Sequence, residues 1–114
     1  MKILFVCSAN VDRSPTAEYI YSGRRDLEVK SAGVGEFAQI PVSEELLQWA
    51  DAILCMDKKH KQKLKKKFQD ICANKTIGVL NVPDLFDYMD DDLVSIIKGQ
   101  TDAWLGKYGS RPSV

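Results

Sequence analysis

The chain has 114 residues, and its 16 basic and 16 acidic side chains cancel, so no overall field marks it for nucleic acid or an anionic membrane surface. At 45% hydrophobic and 28% charged it has an ordinary globular composition, and its length predicts one domain, residues 1–114, with its own core. No apolar run approaches the roughly 20 residues of a spanning helix, the opening Met1-Lys2-Ile3-Leu4-Phe5-Val6 is too short for a signal peptide, and three cysteines without framework spacing suit a reducing compartment, the cytoplasm.

Residues 2–7 predict a buried strand around Ile3-Leu4-Phe5-Val6. Residues 14–24 predict a helix with Ser14 as N-cap, Pro15 at the first helical position and Gly23 near its end. Residues 27–32 alternate as a second strand, and Ser43 caps a short helix whose first turn carries Glu44 and Glu45, where acids complement the dipole. Residues 52–56 predict a third strand, and Asp57 caps a helix running to about Ile71. A fourth strand over 76–81 and a last helix over 90–105 complete the pattern. This βαβ rhythm predicts an α/β fold of three layers, α/β/α, around a four-stranded parallel sheet. Ligands of such sheets bind outside the carboxyl ends of the strands. The loop after Cys7 and the 82–90 loop both leave that rim, so the two can meet.

The segment Cys7-Ser8-Ala9-Asn10-Val11-Asp12-Arg13-Ser14-Pro15 carries the chemistry. A short loop ahead of a helix N-terminus turns several backbone N–H groups into one concavity, a seat for a tetrahedral anion. Cys7 at its base shares that positive field, which favours the nucleophilic thiolate. Arg13 offers a planar fork for two phosphate oxygens. A nucleophile beneath an anion cradle suits phosphoryl transfer through a cysteinyl phosphate; the plainer alternative for Cys7 is a core thiol at a strand end.

Expelling an aryl oxide also needs a general acid. The 81–92 loop supplies five aspartates, of which Asp90, Asp91 and Asp92 suit the first turn of the last helix, leaving Asp84 and Asp87. Phe86 and Tyr88 can wall a pocket for an aryl group or pack onto the core. Seven lysines crowd residues 58–67, while His60, Leu64, Phe68 and Ile71 form one stripe. The helix therefore docks by that stripe and shows its lysines to water. His60 reads as a helix residue, Cys55 as core, and Cys72 as a lone thiol near a helix end.

Cys7-x5-Arg13-Ser14 after an N-terminal strand resembles the signature loop of the low-molecular-weight protein tyrosine phosphatase family. Ser31-Ala32-Gly33 is similar to the family's second-strand ending, Ile53-Leu54-Cys55-Met56-Asp57 to its third strand and cap, and Pro83-Asp84-Leu85-Phe86 to its acid-bearing loop. The resemblance implies strand order 2-1-3-4. It implies Cys7 as nucleophile, Arg13 with the amides of Ser8, Ala9, Asn10, Val11, Asp12 and Ser14 as phosphate binders, and Asp84 as acid, with Asp87 its rival. Ser14 would donate to the thiolate and Asn10 would hold the loop shape. Phe37, Phe86 and Tyr88 would line the pocket.

Three departures stand out. Asp12 replaces the family's second cysteine, the partner of the nucleophile in a protective disulfide, and is expected to turn outward. The segment between Gly33 and Ser43 is short, leaving Phe37 as its one aromatic and predicting a shallow, open pocket. Leu85 replaces a proline, predicting a less rigid acid loop. The resemblance implies a phosphatase needing no metal or cofactor, monomeric, acting on a phosphorylated protein or a small aryl phosphate. The alternatives are a phosphate or phosphoprotein binding module without turnover, and an arsenate reductase relaying a disulfide through further cysteines.

Overall fold

In a computed structural model, which describes residues 1–108, nine elements alternate along the chain. They are β1 (Lys2–Cys7), α1 (Arg13–Tyr21), β2 (Glu28–Gly33), α2 (Glu44–Trp49), β3 (Ala52–Cys55), α3 (Lys58–Lys67), α4 (Gln69–Cys72), β4 (Thr76–Val79) and α5 (Asp91–Tyr108). The four strands are all parallel and lie in the order β2-β1-β3-β4. Ile3, Leu4, Phe5 and Val6 of the central β1 are wholly buried, as a parallel strand covered on both faces requires. Each such side chain contributes roughly 1.5–3 kcal/mol on leaving water.

Alternation along β1 divides the core. Ile3, Phe5 and Cys7 face the layer of α1 and α5, with Ala17, Tyr21, Leu93, Ile97 and Leu105. Leu4 and Val6 face the other layer, with Leu47, Leu64, Cys55 and Cys72. From β1 the chain passes first to β2 on one side and then to β3 on the other. The order therefore reverses at β1, and the crevice beyond its carboxyl end opens directly above Cys7.

Several boundaries differ from the sequence-based expectation. Asp12, not Ser14, is the N-cap of α1, without a side-chain capping bond. Ser14 lies inside the first turn because its hydroxyl is drawn inward by Cys7 and Asn10. Helix α1 ends at Tyr21, whose carbonyl accepts a turn bond from the Arg24 N–H. The helix expected to reach Ile71 breaks at Phe68, with φ −126° and ψ 50°, and the chain restarts as the single turn α4. Phe68 leaves the helical path and packs its ring partly into the core layer beside Leu64. Strand β4 stops at Val79, though bonds from the Leu80 and Val82 amides to the carbonyls of Cys55 and Met56 carry the pairing onward. Helix α5 runs past residue 105 to Tyr108, whose ring stacks on Trp104 one turn earlier. Ser43 caps α2 and Asp57 caps α3, as their spacing predicts. Among the described residues no helix is long and apolar enough to cross a membrane.

Candidate active site

Cys7 ends β1 with 3% of its surface exposed. The Asn10 N–H donates to its sulfur at 3.2 Å, and the Ser14 hydroxyl lies 2.9 Å away. A thiolate carries no proton, so in that state Ser14 must donate to Cys7; the alternative acceptor, the Ala32 carbonyl, lies farther off at 3.3 Å. Asn10 sits in the left-handed region at φ 58°, one of the few non-glycine types suited to it. Its Nδ2 donates to Ser14 Oγ at 2.9 Å and to Ser31 Oγ at 3.0 Å, and Ser31 donates to Glu18 Oε1 at 2.5 Å. A chain of hydrogen bonds thus runs from Glu18 to the Cys7 sulfur and orients the Ser14 oxygen.

The outer rim of the loop is bolted to the segment after β2. The carbonyls of Cys7, Ser8 and Ala9 accept from the amides of Val34, Gly35 and Gln39 at 2.9, 2.9 and 3.0 Å. A planar trans peptide points its N–H opposite its C=O. The amides of Ser8, Ala9 and Asn10 are thereby turned inward, and the Asn10 bond to the sulfur follows this rule. Arg13 and Ser14 open α1, where first-turn amides have no intrahelical acceptor. Gly33 leaves room for this seating: a Cβ there would lie 2.5 Å from the Ser8 carbonyl oxygen.

His60 contributes what the sequence reading did not foresee. It is fully buried, and its Nδ1 accepts from the Asp57 N–H at 3.1 Å, completing a capping box on α3. The remaining ring proton therefore sits on Nε2 and is donated to Ser8 Oγ at 2.9 Å. Burial first, and then the Arg13 charge, push the imidazole down to about 4. The Asp57-x-x-His60 spacing was the available signal for the cap. Nothing in the sequence announced the bond to Ser8, nor the roles of Ser31 and Glu18.

Arg13 is 2% exposed. Its Nη1 donates to the Val82 carbonyl at 3.0 Å, and its Nε lies 3.7 Å from Asp84 Oδ1. Of the two rival acids, Asp84 is thus the one beside the loop cation, with 63% of its side chain exposed. Asp87 is exposed, and its carbonyl accepts from the Asp90 N–H. Asp90 in turn caps the start of α5 through the Asp92 N–H. Asp12 turns out of the cradle, its Oδ1 accepting from the Tyr88 N–H at 3.0 Å.

The aromatic residues enclose little. Phe37 stands 92% exposed at the tip of a turn closed by the Ala38 N–H on the Gly35 carbonyl, and walls nothing in this state. Phe86 is half-buried against the core layer of α1 and α5, and Tyr88 is exposed. Cys55 and Cys72 lie in the opposite core layer from Cys7. Burial pushes the Cys55 thiol up to about 12. A disulfide relay from Cys7 has no partner on its own face of the sheet.

No family model matches the sequence. A protein-arginine-phosphatase of Bacillus subtilis (strain 168) is 30% identical, the match covering 60% of this chain and 63% of that protein. The chain thus matches less than two thirds of the curated relative's length. A solved structure of the arginine phosphatase YwlE, a mutant with a phosphorylated active-site serine, is 25% identical with a TM-score of 0.67. That match covers 95% of this chain and 97% of the other. A low-molecular-weight protein tyrosine phosphatase from Streptococcus pyogenes shares the fold at a TM-score of 0.78 and 18% identity, over 96% and 94% of the two chains.

Proposed function

We propose that this chain, whose sheet order and Cys7-x5-Arg13-Ser14 loop are similar to those of the low-molecular-weight protein tyrosine phosphatases, is a cysteine-dependent phosphatase acting on aryl phosphates of the phosphotyrosine type. The observation that carries this reading is the Cys7 sulfur, held by the Asn10 N–H and the Ser14 hydroxyl beneath a loop whose arginine is buried and pre-oriented. In the first step the Cys7 thiolate attacks phosphorus while the bond to the aryl oxygen breaks. Asp84 gives that oxygen its proton. The inward amides of Ser8, Ala9 and Asn10, the first-turn amides of Arg13 and Ser14, and the Arg13 fork take the three equatorial oxygens, on which charge is spread in the transition state. In the second step Asp84 removes a proton from water, which attacks the phosphocysteine. The thiolate then leaves, with Ser14 donating to it, and inorganic phosphate is released.

Protein phosphoarginine is a second substrate reading, supported by the names of the curated relative and of the 25%-identical structure. There the bond broken is P–N, and Asp84 would protonate nitrogen. The protein is proposed to act as a one-domain cytoplasmic monomer on phosphorylated proteins.

The test is burst and steady-state turnover with p-nitrophenyl phosphate, followed by matched phosphotyrosyl and phosphoarginyl peptides. Wild type is expected to turn over the ester, and Cys7→Ser to lose essentially all of that activity. Full activity in Cys7→Ser would overturn the mechanism. Vanadate binding without any hydrolysis would make the chain a phosphate-binding module instead.

A further inference from the structure

We propose that Asp12 is a positioning residue for the general acid, one half of a clasp that fixes the 83–89 loop over the signature loop; this rests on the phosphatase reading above. The loop is anchored at both ends. At its start the Val82 N–H donates to the Met56 carbonyl at 2.8 Å, and the Val82 carbonyl accepts from Arg13 at 3.0 Å. At its end the Tyr88 N–H donates to Asp12 Oδ1 at 3.0 Å and the Met89 N–H to Thr16 Oγ1 at 3.0 Å. The Thr16 hydroxyl itself donates to the Asp12 carbonyl at 2.6 Å. Asp12 and Thr16 thus form one acceptor pair, a helical turn apart at the start of α1.

The stretch between the anchors has little else to hold it. Asp84 is 63% exposed and Leu85 is 79% exposed, with only Phe86 tucked against the core. Leu85 leaves its φ free where a proline would fix it. Met89 sits at φ 62°, an uncommon conformation for a side chain of its size, and the clasp bonds fall at it and the residue before it. The start anchor rests on Met56 and Arg13 and the end anchor on Asp12 and Thr16, so the far end of the acid-bearing loop moves only if the clasp opens. A carboxylate at position 12, out of place in an anion cradle, has its use on the loop's outer side. Its two lone-pair-rich oxygens accept from an amide far better than a thiol sulfur would.

A general acid matters most when the leaving group is poor, so the experiment compares phenyl phosphate with p-nitrophenyl phosphate in wild type, Asp12→Ala, Asp12→Asn and Asp84→Asn. Asp84→Asn is expected to lose roughly 100-fold or more in kcat on phenyl phosphate and much less on the nitrophenyl ester. Asp12→Ala is expected to lose about tenfold on phenyl phosphate and no more than about twofold on the nitrophenyl ester, with inhibition by inorganic phosphate unchanged. Asp12→Asn is expected to keep near-wild-type rates, because its amide oxygen still accepts from the Tyr88 N–H. Equal losses on both esters in Asp12→Ala, no loss on either, or an Asn variant as poor as Ala would overturn the clasp alone. Absence of leaving-group dependence in Asp84→Asn would overturn the acid assignment and the clasp with it. Should Asp12→Ala not fold, Thr16→Val, which cuts the Met89 arm, must show the same selective loss.

Discussion

His60 shows how one side chain couples stability to the loop after Cys7. It holds its neutral form in the fold down to about 4, whereas a free histidine titrates near 6.5. As pH falls, the unfolded chain takes up the proton first, so stability is fully present above about 6.5 and is lost as pH falls from there towards 4. By pH 5 the loss amounts to about 2 kcal/mol. Urea unfolding at pH 7 and pH 5 is expected to show that difference in wild type and a much smaller one in His60→Gln. Equal pH dependence in the two proteins would remove His60 from the account. At this scale the residues of the proposed anion site were legible, because Cys7, Arg13 and Ser14 announce themselves by type and spacing. Their supports were not. Glu18, Ser31 and His60 reach the loop only after helix, strand and helix are packed, and no local pattern encodes such long-range bonds.

Among the elements, α3 carries an unusual electrostatic load. It buries His60 and Leu64 and presents its lysines around them, with no ion pair from α3 among the described residues. Lys59 with Lys63, Lys63 with Lys67, and Lys61 with Lys65 stand one turn apart. Each like-charged pair costs about 0.2–0.5 kcal/mol, so the helix is held by its docked stripe and its capping box against its own repulsion. Salt screens exposed charges within about 10 Å at 0.1 M. Thermal melts from low salt to 0.5 M sodium chloride are therefore expected to rise by a few degrees, about 4–8 °C per kcal/mol recovered in a chain of this size. Lys63→Glu should raise the low-salt midpoint and blunt the salt effect; a midpoint that falls with salt would contradict this account. The docked stripe was readable as a 3.6-residue period. The break at Phe68 was not, since Phe68 lies on that same stripe and only packing shows that its ring is better buried by leaving the helix.

For the whole molecule, the alternation of strand and helix was enough for a three-layer fold, and the resemblance supplied the order β2-β1-β3-β4 that the sheet has. Element ends were less legible, because residues such as Ser14 serve the site rather than the helix that contains them. The division of the core into two layers has one more consequence. Cys7 faces one layer, Cys55 and Cys72 face the other, and position 12 holds a carboxylate. A sulfenic acid formed on Cys7 by peroxide therefore meets no thiol on its own side of the sheet with which to condense. Peroxide in the absence of small thiols is expected to drive Cys7 on to sulfinic and sulfonic acids, visible by mass spectrometry as irreversible loss of activity, while added glutathione during exposure preserves recoverable enzyme. An intramolecular disulfide at Cys7 would contradict the separation. The sheet itself acts as a wall between Cys7 and the chain's other two thiols, so recovery of Cys7 from oxidants is expected to depend on thiols from outside.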